Sequence, residues 1–223
     1  MPLPQTSYSC MHPTELPQYK VAAYGKKTKA FTISGENAEK DFFGTISTST
    51  YPMQHKEKNI RAADPIADKV ACSVTKNRVV VAVADGCGWG LRSERAAIQA
   101  TTTVRDYLSS KQSKIKDLQD AGHYLYRAFC IAHNKIIEGK EDVFEAGTTT
   151  LLTGICMEII QQTDSDPKWC FVCASVGDCK AFLISKKSKD LVDITAGNRM
   201  NTNDATDPGG RIGTLKFLFL YEL

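Results

Sequence analysis

The residues best suited to chemistry lie in the stretch 78–90, RVVVAVADGCGWG. An apolar run from Val79 ends in one carboxylate, Asp85, and predicts a buried strand that delivers an acid to its end. Gly86 and Gly88 follow at once, and glycine admits backbone shapes and close approaches that a β-carbon would block. An acid beside an accessible carbonyl is one half of a site for a hard cation such as Mg²⁺ or Mn²⁺, which takes oxygen ligands. An Asp-Gly pair also serves as an ordinary turn, so the pair by itself leaves both readings open.

The other candidates lie just upstream, in IRAADPIADKVACSVTKNRVVVAVADG. The pattern is an acidic loop, a strand, a Lys-Asn turn and a second strand. Such a hairpin returns the residues before the first strand to the sheet edge where the second strand ends. Asp68, or Asp64 four residues earlier, is thereby placed to meet Asp85 at one ion. Arg61 could hold a phosphate through two parallel hydrogen bonds, or form a surface ion pair.

Elements that would position these groups are legible on both sides. After Trp89 the period changes: Leu91, Ala97, Ala100, Val104 and Leu108 predict a helix over residues 91–108. Leu118, Ala121, Leu125, Ala128, Ala132 and Ile136 predict a second over 118–137, which Gly139 is placed to end. β-Branched residues return in TTTLLTGICMEII, and WCFVCASVGDCKAFLIS reads as a second hairpin around Gly177 and Asp178. Earlier, residues 1–20 carry four prolines without periodicity and read as a flexible leader. Residues 21–59 are irregular, with KAFTIS as one candidate strand and 51–59 as a loop. Strands, a helix pair and strands again make an α+β layered domain.

Bulk properties narrow the function classes. The 223 residues suffice for one globular domain, and a net charge of +3 is too small and dispersed for a nucleic-acid partner. No apolar run approaches the roughly 20 residues of a membrane span. With no secretory leader pattern, the eight cysteines read as reduced thiols in an intracellular, cytoplasmic or nuclear protein. Cys170 and Cys173 would point to opposite faces of a strand, which argues against a zinc pair, and Cys156 and Cys179 join them as small hydrophobes. His12, His55, His123 and His133 lack ligand spacing.

The ordered series Asp85-Gly86-x-Gly88, a helix pair, Ala146-Gly147-Thr148-Thr149-Thr150 and Ala174-Ser175-Val176-Gly177-Asp178 resembles the metal-dependent PPM-type (type 2C) serine/threonine protein phosphatases. The Gly-Arg-Ile of residues 207–213 is similar to a later segment of that family. The resemblance covers residues 60–213, a partial domain, and leaves 214–223 as an apolar tail outside it. It implies a four-layer α-β-β-α sandwich with two Mn²⁺ or Mg²⁺ ions between the sheets. Asp85 would bridge both ions, the Gly86 carbonyl would bind one, Asp68 or Asp64 would fill the upstream acidic position, and Arg61 would hold the phosphate. The implied reaction is hydrolysis of phosphoserine or phosphothreonine in a phosphoprotein by a water activated between two ions, in a monomeric enzyme.

The chain also departs from the family pattern. Cys87 stands where many members have histidine, and Ala67 precedes Asp68 where a glutamate is usual. The Ser-Asp-Gly and Asp-Asn segments that supply further metal aspartates do not follow Gly213, where the chain runs TLKFLFLYEL. The expectation is therefore a domain incomplete at its carboxy-terminal side and a poor catalyst, with a pseudophosphatase acting as a binding module as the alternative.

Overall fold

A computed structural model describes residues 8–13, 19–24, 51–55, 57–58, 60–62, 64–141, 143–197, 203 and 209–213. The elements in chain order are β1 (Tyr19–Tyr24), β2 (Met53–His55), β3 (Ile60–Arg61), β4 (Lys69–Val74), β5 (Arg78–Ala84) and β6 (Gly86–Cys87). Helices α1 (Leu91–Lys111), α2 (Leu118–Ile137) and the single turn α3 (Val143–Ala146) follow. The chain then returns to strands: β7 (Thr148–Thr149), β8 (Leu151–Glu158), β9 (Trp169–Val176), β10 (Phe182–Ile184) and β11 (Leu191–Asp193).

The predicted strand β5 lies in a five-stranded antiparallel sheet in the order β1-β4-β5-β8-β9. Val80, Ala82 and Ala84 point from β5 into the core, joined by Ile155 and Met157 from β8. The helix pair covers this face, with α1 over β4 and β5 and α2 over β9. Small residues at the contact, Ala96, Ala97 and Ala100 on α1 and Ala121, Ala128 and Ala132 on α2, are fully buried and let the helices come close. Larger ones, Leu108, Leu125 and Ile136, fill the layer, and burying each stabilises by about 1.5 to 3 kcal/mol. Asp117 caps α2 by accepting from the Asp120 amide at 2.8 Å, and Gly139, at φ 69°, lies just beyond its end. The fold is thus α+β with antiparallel sheets and a helix pair. No helix of the described residues is long and apolar enough to cross a membrane.

Several expectations change. Leu91 opens α1 but is 59 % exposed, since the first turn packs through Ser93 on its other side. The second hairpin does not form: β9 pairs with β8, whereas β10 pairs with β11 in a separate ribbon. Gly177 redirects the chain there, at φ 102°, with its N–H donated to the Gly209 carbonyl and no room for a β-carbon beside Thr150. Nor is the stretch 1–20 a free leader throughout. Cys10 donates its amide to the Lys116 carbonyl, Met11 to that of Glu158, and β1 is an edge strand of the main sheet. A short ribbon of β2 and β3 replaces part of the expected 51–59 loop. The KAFTIS segment and the apolar tail lie outside the described residues.

Candidate metal centre

Register alone assembles the site. Lys69 pairs with Ala84, so Asp68, one residue before β4, and Asp85, one residue after β5, leave the sheet at the same edge. Leu151 pairs with Val176, which brings Thr150 before β8 and Gly177-Asp178 after β9 to that edge as well. Asp68, Asp85 and Asp178 are thereby brought to one end of the sheet.

Their electrostatics reflect it. The Asp85 carboxyl is raised to about 6: partial withdrawal from water comes first, then the negative charges of Asp68 and Asp178, then a side-chain hydrogen bond with Asp68. Asp85 as a residue is solvent-exposed. The two observations agree if its carboxyl lies in a recess that neighbours crowd while its remaining surface stays open, and the like charges give the direction independently of burial. The nearest acids, Asp68 and Asp178, thus both act against ionisation of Asp85.

The backbone around Asp85 is held rigidly. Its N–H donates to Thr150 Oγ1 at 3.0 Å, and its carbonyl accepts from the Thr150 amide at 2.9 Å and from Thr149 Oγ1 at 2.9 Å. Residue 68 is fixed from the next position: Lys69, buried, donates to the Ile66 carbonyl at 2.6 Å and pairs with Glu94 of α1 at 3.2 Å. Gly86 has a packing reason as well as the expected ligand role, since a β-carbon there would lie 2.5 Å from the Ser93 carbonyl oxygen and 2.8 Å from Ala67 Cβ. Ser93 Oγ donates to the Cys87 carbonyl at 2.6 Å and ties β6 to the helix.

The remaining sequence candidates sit apart from this pair. Asp64 accepts the Arg61 amide at 2.7 Å, and Arg61 Nη1 donates to the Tyr51 carbonyl at 2.7 Å. Neither is among the groups that shift Asp85. Between the two open choices for the acid facing Asp85, the geometry takes Asp68.

Other residues enter that the sequence reading left out of the site. Asp178 is one, and its signal was an acid next to a glycine just after an apolar strand, with the order of the two reversed relative to Asp85-Gly86. Cys87 and Cys179 flank the carboxylates, with Cys179 Sγ 3.1 Å from Thr150 Oγ1. Burial raises both thiols, and each feels Asp85 and Asp178. Arg211 is the cation that acts on Cys87. Its segment is pinned by Ile212, which exchanges backbone hydrogen bonds with Thr149, and by Gly213, whose N–H donates to His133 Nδ1 at 3.2 Å.

By donor chemistry the Asp68 and Asp85 carboxylates fit one hard divalent ion, which would relieve the repulsion they now share. Among the described residues no three His, Cys, Asp or Glu side chains are close enough together to grip an ion, so the edge gathers acids without completing a ligand set. The chain has no match among protein-family models, curated proteins or solved structures.

Proposed function

We propose that this chain carries the metal-dependent phosphoprotein phosphatase architecture and, as it stands, holds at most one divalent ion weakly. The observation that carries the reading is the convergence of Asp68, Asp85 and Asp178 at one sheet edge. A bound Mn²⁺ or Mg²⁺ would supply charge neutralisation and an activated water for attack on a phosphate monoester. Asp68 and Asp85 would hold it, with the Gly86 carbonyl as a further oxygen. Arg211, on the docked segment 209–213, is better placed than Arg61 to meet a phosphoryl oxygen beside the acids. The substrate class is a phosphoserine or phosphothreonine protein in the cytoplasm or nucleus.

Support for the complete sandwich comes from the second face of the five-stranded sheet. Val79, Val81, Val83, Cys156 and Phe171 point there, opposite the helices, so both faces are apolar and the second calls for another layer. Calorimetric Mn²⁺ titration of the intact protein and of Asp85→Asn tests the metal reading. Heat of binding in the intact protein and none in the variant is expected; equal binding by both places the ion elsewhere and ends it.

A second reading, a pseudophosphatase that binds phosphoproteins without turning them over, is favoured by the unfinished ligand set. Mn²⁺-dependent release of phosphate from a phosphothreonine peptide, lost in Asp85→Asn, decides against it. Retained peptide binding without release decides for it.

A further inference from the structure

At the Arg78 end of the sheet, away from Asp85, sulfur side chains from three chain segments gather on the core side. Cys10, 7 % exposed, forms a bridge with Ile159 just beyond β8, and its Sγ–H donates to Met157 Sδ at 3.6 Å. Met157 is fully buried and is the register partner of Cys170 on β9. Register partners share a face, with β-carbons roughly 4.5 to 5.5 Å apart, so Cys170 stands beside Met157 on the side where Cys10 reaches it. Cys10 also feels the charge of Cys170, and neither thiol is in a disulfide.

Sulfur in a core often does no more than pack. A buried cation beside this trio argues for more. Arg78 pairs in register with Met157, and its Nη2 donates to the carbonyl of Met11, the residue after Cys10. Its three acceptors are neutral carbonyls, and its Nε is buried with no hydrogen-bond partner among the described residues. A full charge so enclosed is costly without an anion. Cys10 is the group that Arg78 feels. Burial, Asp117, Cys170 and Asp120 nevertheless outweigh Arg78 and push the Cys10 thiol up, so the neutral thiol leaves Arg78 without a counter-charge.

A soft monovalent ion changes that balance. Thiolate and thioether are the ligands that select Cu(I), and two thiolates around one Cu(I) carry a single negative charge, which matches the guanidinium. With metal–sulfur bonds of about 2.3 Å, two sulfurs on one trigonal ion stand about 4 Å apart. Cys10 and Met157 already stand at 3.6 Å.

We propose that Cys10, Met157 and Cys170 form a three-sulfur site for one Cu(I) ion, closed by the docking of residues 8–13. Loading exchanges the two thiol protons for the ion and transfers no electron. Entry follows from how the segment is held: backbone hydrogen bonds join Cys10 to Lys116, Met11 to Glu158 and Ile160 to Ser9, at its exposed rim. The site is independent of the carboxylate edge, whose oxygens suit hard ions.

The test presents Cu(I) as its bicinchoninate complex to the reduced full chain without oxygen. One copper per chain is expected, with three sulfur scatterers in X-ray absorption. Cys10→Ser and Cys170→Ser should each weaken binding about a hundredfold, and Met157→Leu about tenfold with two sulfurs remaining. Met157→Leu keeps the core volume, so it decides the matter where a serine variant fails to fold. The pair Cys87→Ala and Cys179→Ala should leave the affinity unchanged. Amide exchange at Cys10 and Met11 should slow on loading. No uptake in competition with bicinchoninate, an unchanged copper shell in Met157→Leu, or unchanged exchange at Cys10 and Met11 overturns the site.

Discussion

The two ends of strand β5 are made to opposite specifications. At its start Arg78 is 1 % exposed, with Nη1 donating to the Gln112 carbonyl at 2.7 Å and Nη2 to those of Met11 and Ile115 at 2.8 Å. A buried cation there is surrounded by acceptors, and one guanidinium ties together the amino-terminal strap, the end of α1 and the approach to α2. At the other end Asp85 has acid neighbours, Asp68 and Asp178, whose negative charges raise its carboxyl. The first end spreads one buried charge over three carbonyls, although its Nε has no partner among the described residues, and the second sets like charges together. Charge accumulated without a counter-charge costs stability, so the Asp85 end is where a ligand has free energy to gain.

The largest expected effect tests the stabilising end. Arg78→Met fills a similar volume but removes the hydrogen bonds to the Gln112, Met11 and Ile115 carbonyls, at about 1 kcal/mol each. Urea unfolding should show a loss of about 3 kcal/mol, with Mn²⁺ affinity of the folded protein unchanged. A loss below about 1 kcal/mol would mean that water replaces the guanidinium and that the contrast between the ends is overstated.

Asp85→Asn tests the other end with the opposite sign. The folded state holds the Asp85 proton more tightly than the unfolded chain, with a carboxyl near 6 against an ordinary 3.8. Ionisation therefore removes stability as pH rises between those values, and the deficit persists above 6. The variant should raise the urea midpoint at pH 7.5 and leave it nearly unchanged at pH 4. A lower midpoint at pH 7.5 would show that Asp85 has a counter-charge.

The smallest effect concerns the pair itself. Asp68→Asn removes one like charge and a hydrogen-bond partner while leaving the recess intact, so the Asp85 titration followed by carboxyl NMR in metal-free buffer should move down from about 6 without reaching the ordinary range. No movement would assign the shift to burial and Asp178 without Asp68.

Much of the fold was legible because it is local. The apolar run over Val79 to Ala84 marked a strand, the Lys76-Asn77 turn fixed the β4 and β5 register, and that register carried Asp68 to Asp85. Helical spacing gave α1 and α2 and every buried position of α2, but on α1 it missed Ser93, Ala96 and Thr101 and included the exposed Leu91, since an apolar period passes over buried small and polar residues.

What the sequence by itself determined is the set of elements and one close carboxylate pair within a single hairpin. Which strands become neighbours was decided only in three dimensions, because pairing across long separations depends on the whole layer packing against α1 and α2. That packing set β9 beside β8, delivered Asp178 to the Asp85 edge, turned β10 away at Gly177, and docked Arg211 through the Ile212 and Thr149 contact. It also recruited residues 8–12 as a strap, since Arg78, buried at the end of a strand, needed carbonyls that its own strand could not supply.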